Sequence, residues 1–346
     1  MNNRFAFLEM QPSNDLLGSP DALRERMATD GYLLFRGVLD RDRLAKVRRD
    51  IVKVTRRLGW TGMDLQPVSE PCVITPMRES DEGFVSGYME VQKLQSFHEM
   101  AHDPTLLGIM REVLGDSAFP HPLKIARLAF PDHFEASTPP HQDWPNNQGT
   151  LALTAAWMPL HDLTPDFGGL AILRGSNRYG VLPRAHHLGA GNRCAVIPTE
   201  MAEACRWVTT DFAVGDVLLF PSTTVHASLH NASEWHLRLS VDFRYQLEGE
   251  ALTAGCLEPH FQRLTWDEVY AGWDSDELQY YWKDLRYEVV PFVEDPSGTV
   301  DGKEMFGHDD LAEFLQYQRR VDSRVARRME RLHALGMDVA DPPAGS

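Results

Sequence analysis

Residues 149–160 read GTLALTAAWMPL, and the same texture returns in KIARLAF (124–130), GLAIL (169–173), DVLLFP (216–221) and HLRLSVDFRYQ (236–246). Each is a short run rich in aliphatic, Thr or aromatic residues, and Pro, Gly or Asn breaks the chain between them. Short strands punctuated by turns predict a sandwich or barrel of β-strands over 121–247. Working outward, residues 1–120 read mostly as helix. Ser19 and Pro20 open one that Gly31 closes. YLLFRGVL (32–39) then suits a buried strand. Asp40 opens a second helix through Leu58, with Leu44, Val47, Ile51, Val54 and Leu58 at helical spacing. A third runs from Phe97 to Leu114 and stops at Gly115. Beyond 250 the chain reads as helical again, with a last helix from Asp310 to Leu335. There is no internal repeat and no long linker. The expectation is therefore one domain over 1–346: helical support over 1–120, a β core over 121–247, and a helical extension over 248–346 that is a candidate lid.

Composition narrows the function. With 43% hydrophobic and 24% charged residues, the 346-residue chain is that of a folded soluble protein. No stretch approaches the roughly 18 consecutive apolar residues of a membrane span. The N-terminus, MNNRFAFLEMQPSND, lacks the apolar core of a signal peptide. Cys72, Cys194, Cys205 and Cys256 are scattered without a CxxC pair, so a reducing cytoplasm is the expected setting. A net charge of −16 repels phosphate backbones and argues against nucleic acid as a partner, while leaving room for a small anionic ligand in a local pocket. Oligomeric state is left open.

His141-Gln142-Asp143 carries the chemistry, together with a remote His226. In a strand, side chains two residues apart leave the same face, so His141 and Asp143 can converge while Gln142 points away. Pro139, Pro140 and Pro145 bound that short segment, and LLFPSTTVHAS (218–228) supplies His226 from another strand. Two histidines and one carboxylate with vacant positions suit a non-heme Fe(II) oxygenase. By itself, though, a His-x-Asp pair is more often structural.

The surrounding stretches add to it. They are Trp157 on the strand after HQD, GGLAILRGSNR at 168–178, GDVLLFPSTTVHASLHNAS at 215–233 and RLSVDFRY at 238–245. DGYLLFRGVLDRDRL near the start adds a further match. Together they resemble the phytanoyl-CoA dioxygenase-like family of Fe(II)/2-oxoglutarate oxygenases. Phe167, Arg174 and Asn177 depart from the family pattern, which has Asn, Pro and His there. The resemblance implies a mainly β fold with flanking helices, whose core is a double-stranded β-helix of the jelly-roll or cupin type. It also implies Fe(II), 2-oxoglutarate and O₂ as the cofactor set. His141, Asp143 and His226 would be the catalytic metal ligands, with Arg238 and Ser228 on the co-substrate. Oxidative decarboxylation to succinate and CO₂ would then drive attack on an unactivated C–H bond.

Independently, a buried carboxylate needs a cation, and Arg offers a planar two-pronged donor. Arg238 lies in the otherwise apolar run LRLSVDF, where a lone guanidinium is hard to bury; the alternative is an ion pair with one of the chain's own carboxylates. Trp157 and Thr154 are candidate co-substrate contacts or plain core, and Trp144 and Gln148 are candidates for the substrate mouth. The loop 178–195 and the segment after 250 would complete the wall. Nothing suggests a pocket for a coenzyme A thioester, so a free small molecule is the expected substrate. Two other readings compete. His98-Glu99-Met100-Ala101-His102 matches the HExxH of zinc peptidases, but Asp103-Pro104 disturbs the helix it would need. A β-helix that only binds a ligand is the other, although all four key residues are intact.

Overall fold

The computed structural model describes residues 7–298 apart from 63–71, 80, 82, 132–136, 165–166, 187–192, 234 and 297. The predicted change of texture is the frame of the fold. Its strands are β1 (Leu8–Glu9), β2 (Leu33–Phe35), β3 (Ala118–Ala129), β4 (Thr154–Pro159), β5 (Leu170–Arg174), β6 (Arg184–His186), β7 (Arg193–Ala195), β8 (Arg206–Thr209), β9 (Val217–Pro221), β10 (His226–Ser228) and β11 (Arg238–Leu247). One sheet has the order β2-β9-β4-β11-β3, antiparallel throughout, and the other the order β1-β8-β5-β10. Leu34, Trp157, Leu218 and Phe220 of the larger sheet meet Leu170, Ile172 and Val208 of the smaller in one core. This is the double-stranded β-helix, closed around a site between its sheets.

Period two decides which side chains enter that space. On β11, Leu239, Val241, Phe243 and Tyr245 join the core outside the larger sheet. Arg238, Ser240, Asp242 and Arg244 alternate with them, and all four are buried. The outer core is covered by α1 (Pro20–Asp30), α2 (Arg41–Arg57), α3 (Phe84–Gln92), α4 (Gln95–Met100) and α5 (Pro104–Leu114). Gly31 closes α1 at φ 74°, and Asp40 caps α2 by accepting from Asp42 N and Arg43 N, as the sequence predicts.

Two expectations are corrected. The helix read from Phe97 to Leu114 is two helices, because Pro104 cannot continue a hydrogen-bonded ladder and Asp103 caps the second, accepting from Thr105 N and Leu106 N. α3 precedes them unpredicted. Over its described residues, 251–296 and 298, the stretch after 250 is not chiefly helical: β12 (Ala251–Thr253) pairs in parallel with β13 (Glu288–Val290), and between them lie short 3-10 turns and an α-helix, Trp266–Tyr270. Trp266, Tyr270, Trp273 and Trp282 pack there as a cluster, and Trp273 Nε1 donates to Lys93 O at 3.0 Å. The helix expected over 310–335 lies outside the described residues. Among the described residues no helix is long and apolar enough to cross a membrane.

Candidate metal and co-substrate site

His141 and His226 exchange backbone hydrogen bonds, N to O at 2.9 Å in each direction, which brings their rings to 4.1 Å between centroids. Each Nδ1 faces a backbone carbonyl, Pro139 O at 2.8 Å and Thr224 O at 3.0 Å. An N–H donated there leaves both Nε2 lone pairs free to bind a cation. Burial pushes the His141 imidazole down to about 3 and lowers His226 as well, which keeps both rings in the neutral form a metal needs.

Asp143 arrives differently from the expectation. The His-x-Asp segment is not a strand: a single bridge at His141 is followed by Asp143 in helical backbone (φ −74°, ψ −35°), as the N-cap of α6 (Trp144–Asn147). Pro139, Pro140 and Pro145 lack the donors a ladder would require. The convergence survives because Gln142 points away and is pinned, donating to Gly180 O and Thr223 O and accepting from Leu182 N. Asp143 Oδ1 lies 3.8 Å from Nε2 of each histidine. The three ligand atoms sit within 4.8 Å of one another, the one such group of three among the described residues.

Arg244 was missed. Its Nη2 donates to Asp143 Oδ1 at 2.8 Å, and its Nη1 lies 3.0 Å from Asp242 Oδ1. Arg127 Nε and Nη2 hold the other Asp242 oxygen at 3.2 and 3.1 Å. Burial opposes charge on Asp143, but the Arg244 guanidinium beside it outweighs burial and holds the carboxyl well below the usual range. Among the described residues Asp143 Oδ2 is buried without a partner.

Arg238 is 4% exposed. Its Nη2 donates to Ser228 Oγ at 2.8 Å and its Nη1 to Gly169 O at 3.3 Å, while Nε has no partner among the described residues. Burial, and then Arg127, lower it to about 10. Among the described residues no carboxylate pairs with it, so the structural ion pair weighed above is not what buries it. Arg238, Ser228, His141, His226, Trp157 and Phe220 line one open cavity. Through Arg127, Thr138, Ser228 and Arg238 it adjoins a second, whose far wall includes Phe84, Tyr88, Phe130, His260 and Phe261. The segment after 250 therefore does reach the wall. Thr154 lies off both cavities, its hydroxyl donating to Ala152 O at 3.2 Å. Trp144 and Gln148 also lie off them. Trp144 Nε1 donates to Gly149 O, and the Gln148 amide is held by Val293, accepting from its N and donating to its O.

The phytanoyl-CoA dioxygenase (PhyH) family model matches residues 27–238. The chain belongs to that family. Among curated relatives, it is 28% identical over 257 residues to a 1-deoxypentalenic acid 11-beta-hydroxylase of Streptomyces arenae, covering 69% of this chain and 86% of the relative. The namesake of Streptomyces exfoliatus is 26% identical over 244 residues, covering 67% and 82%. Among solved structures, the epimerase SnoN, in complex with Fe3+, alpha ketoglutarate and nogalamycin RO, superposes with a TM-score of 0.50 at 16% identity. That match covers 83% of this chain and 98% of the other, and shows a shared fold.

This member of the family is a 2-oxoglutarate-dependent non-heme iron oxygenase, with Fe(II), 2-oxoglutarate and O₂ as its cofactor set. The donors fit: two neutral imidazoles, one carboxylate, and a buried arginine, the carboxylate's Oδ2 and the arginine both without a counter-group among the described residues. The HExxH stretch assembles no such site. His98 Nε2 is engaged with Gln92 O at 2.8 Å, and His102 lies beyond the end of α4, edge-on to Tyr281 at 4.4 Å. The family departures have local reasons. Arg174 pairs with Asp30 at 2.8 Å and Asn177 Nδ2 donates to Ala28 O at 3.0 Å, so both tie the turn after β5 to the end of α1.

Proposed function

We propose that this enzyme hydroxylates an unactivated C–H bond of a free small-molecule metabolite, with release of succinate and CO₂. His141, Asp143 and His226 hold the iron, and Arg238 with Ser228 takes the distal carboxylate of 2-oxoglutarate. The observation that carries the reading is Arg238, a cation buried beside the three-ligand cluster with a hydroxyl partner and, among the described residues, no carboxylate. An isolated buried charge is costly, so a dianionic co-substrate in the shared cavity completes it. Bound iron and 2-oxoglutarate supply the oxidising power; the protein's part is orientation and exclusion of water. Trp157 and Phe220 give the cavity apolar walls, and the adjoining cleft, where aromatic rings stand beside Arg78, Glu79 and Asn231, is where a compact substrate with both apolar and polar groups fits.

The hydroxylases among the curated relatives, named for a small carboxylic acid, support hydroxylation of a free metabolite. Asp143 keeps the carboxylate that a halide would have to replace, so halogenation is not expected. The test is anaerobic addition of Fe(II) and 2-oxoglutarate to the apoprotein, followed by a turnover panel of free acids and acyl-CoA thioesters read by succinate release. A visible charge-transfer band that His226→Ala abolishes is the expected result. Absence of the band from wild type, or turnover confined to acyl-CoA thioesters, refutes the reading.

A further inference from the structure

We propose that Arg244, steadied by Asp242, is a positioning residue that fixes the rotation of the Asp143 carboxylate at the metal cluster. The proposal rests on the iron reading above.

Four charged groups stand in series from the cleft to the cluster: the half-buried Arg127, then the buried Asp242, Arg244 and Asp143. The links at either end are hydrogen bonds, at 3.1 Å between Arg127 Nη2 and Asp242 Oδ2 and at 2.8 Å between Arg244 Nη2 and Asp143 Oδ1. The middle link, Arg244 Nη1 to Asp242 Oδ1 at 3.0 Å, is an ion-pair contact without hydrogen-bond alignment. Arg244 and Asp143 are 3% and 4% exposed at their side chains, so water does not screen the contact.

A carboxylate turns freely about its Cβ–Cγ bond unless a donor holds one oxygen. Among the described residues Arg244 is the one hydrogen-bond donor to the Asp143 side chain. The oxygen it holds is also the one 3.8 Å from both imidazoles. Arg244 thus sets which oxygen lies between the histidines. The fold places it there deliberately: Arg244 falls at a register shift between β11 and β3, where Phe243 pairs with Lys124 and Tyr245 with Pro120. Irregular positions of this kind re-aim a side chain. Its neighbour on β4 is Ala155, which leaves room for a guanidinium. A conventional buried ion pair would serve stability alone, and a double-mutant cycle separates the two roles.

The probe is Co(II), titrated without oxygen into the full-length apoprotein and followed by its visible absorption. Loss of such an outer partner typically weakens metal binding by about 10–100-fold. Arg244→Gln is expected to do so, Asp242→Asn to do so less, and Arg244→Lys to recover part of the loss. In an Asp143→Asn background, Arg244→Gln is expected to cost no further affinity, since there is no carboxylate left to orient. Wild-type Co(II) affinity in a folded Arg244→Gln protein overturns the proposal, as does an equal loss in both backgrounds. If Arg244→Gln does not fold, Asp242→Asn is judged by the same two criteria. Wild-type protein that binds neither Co(II) nor Fe(II) removes the iron reading and this one with it, a result distinct from selective indifference to Arg244.

Discussion

Arg238 is a cation that no carboxylate among the described residues pairs, so its two states make opposite demands. Without ligand it is a cost; with a dicarboxylate bound it is an anchor. Truncating one partner of a buried hydrogen-bonded charge pair costs about 2–5 kcal/mol, which is at least roughly 30-fold in affinity. Arg238→Met is therefore expected to weaken 2-oxoglutarate binding by that factor without lowering the thermal midpoint of the apoprotein. Arg238→Lys should fall between, since it keeps the charge and loses the fork. Anaerobic absorbance titration and a melting curve check both halves, and a lowered apo midpoint would point to a structural role instead. This arginine was legible because it interrupts an apolar run. Arg244 lies six residues further on the same face, yet its role was not, because its partner Asp143 is remote in sequence and only the fold brings the two together. Asp242 and Arg127 were hidden for the same reason: a buried ion pair is invisible until strand register is known.

At the scale of elements, a turn decides whether the co-substrate end is built. Gly168 has φ +61°, and a Cβ there would lie 2.4 Å from His230 O and 2.5 Å from Leu229 O. Both are backbone atoms and cannot swing aside. The next residue, Gly169, accepts from Arg238 Nη1 and from Leu229 N at 2.9 Å. Gly168→Ala is thus expected to cost about 1–3 kcal/mol by overpacking, with added strain from the left-handed backbone. It should also weaken 2-oxoglutarate binding, because it displaces the carbonyl that orients Arg238. Urea unfolding and a 2-oxoglutarate titration of the same variant test the coupling; loss of stability with unchanged affinity would break it. β2, β3, β4, β5, β9, β10 and β11 were legible because they lie in apolar runs set off by Pro, Gly or Asn, whereas β1, β6, β7, β8, β12 and β13 are too short to stand out. The His-x-Asp segment was misread as a strand because convergence of i and i+2 looks the same when proline forces a turn. The helix over 97–114 was run together because apolar spacing crosses Pro104, whereas backbone hydrogen bonding does not.

For the whole molecule, burial of basic groups gives stability an unusual dependence on pH. His98, His161 and His260 are each pushed down to about 3 by burial, and His121 to about 4. Unfolding returns each to a value near 6.5. Between those limits the unfolded chain binds more protons, so stability is full above about pH 6.5 and drains away as pH falls toward the folded values. Each ring contributes up to about 1.4 kcal/mol per pH unit in that window. Lys124 extends the trend upward. It is buried at 2% exposure with Nζ on His121 O and Tyr281 Oη, and desolvation lowers it to about 7. The folded form is then short of a proton from about pH 7 to 10.4, and stability climbs more gently across that range. Above it the buried hydroxyls of Tyr245 and Tyr281, raised well beyond their ordinary range by burial, reverse the slope. With melting shifts of about 2–4 °C per kcal/mol, the apoprotein midpoint should fall by more than about 10 °C between pH 7.5 and pH 5. Lys124→Met is expected to raise stability at pH 7 and to flatten the limb from pH 7 to 10, leaving the acid limb intact. A midpoint unchanged between pH 5 and 7.5 would mean that these imidazoles are reached by water in solution and are not held neutral in the core.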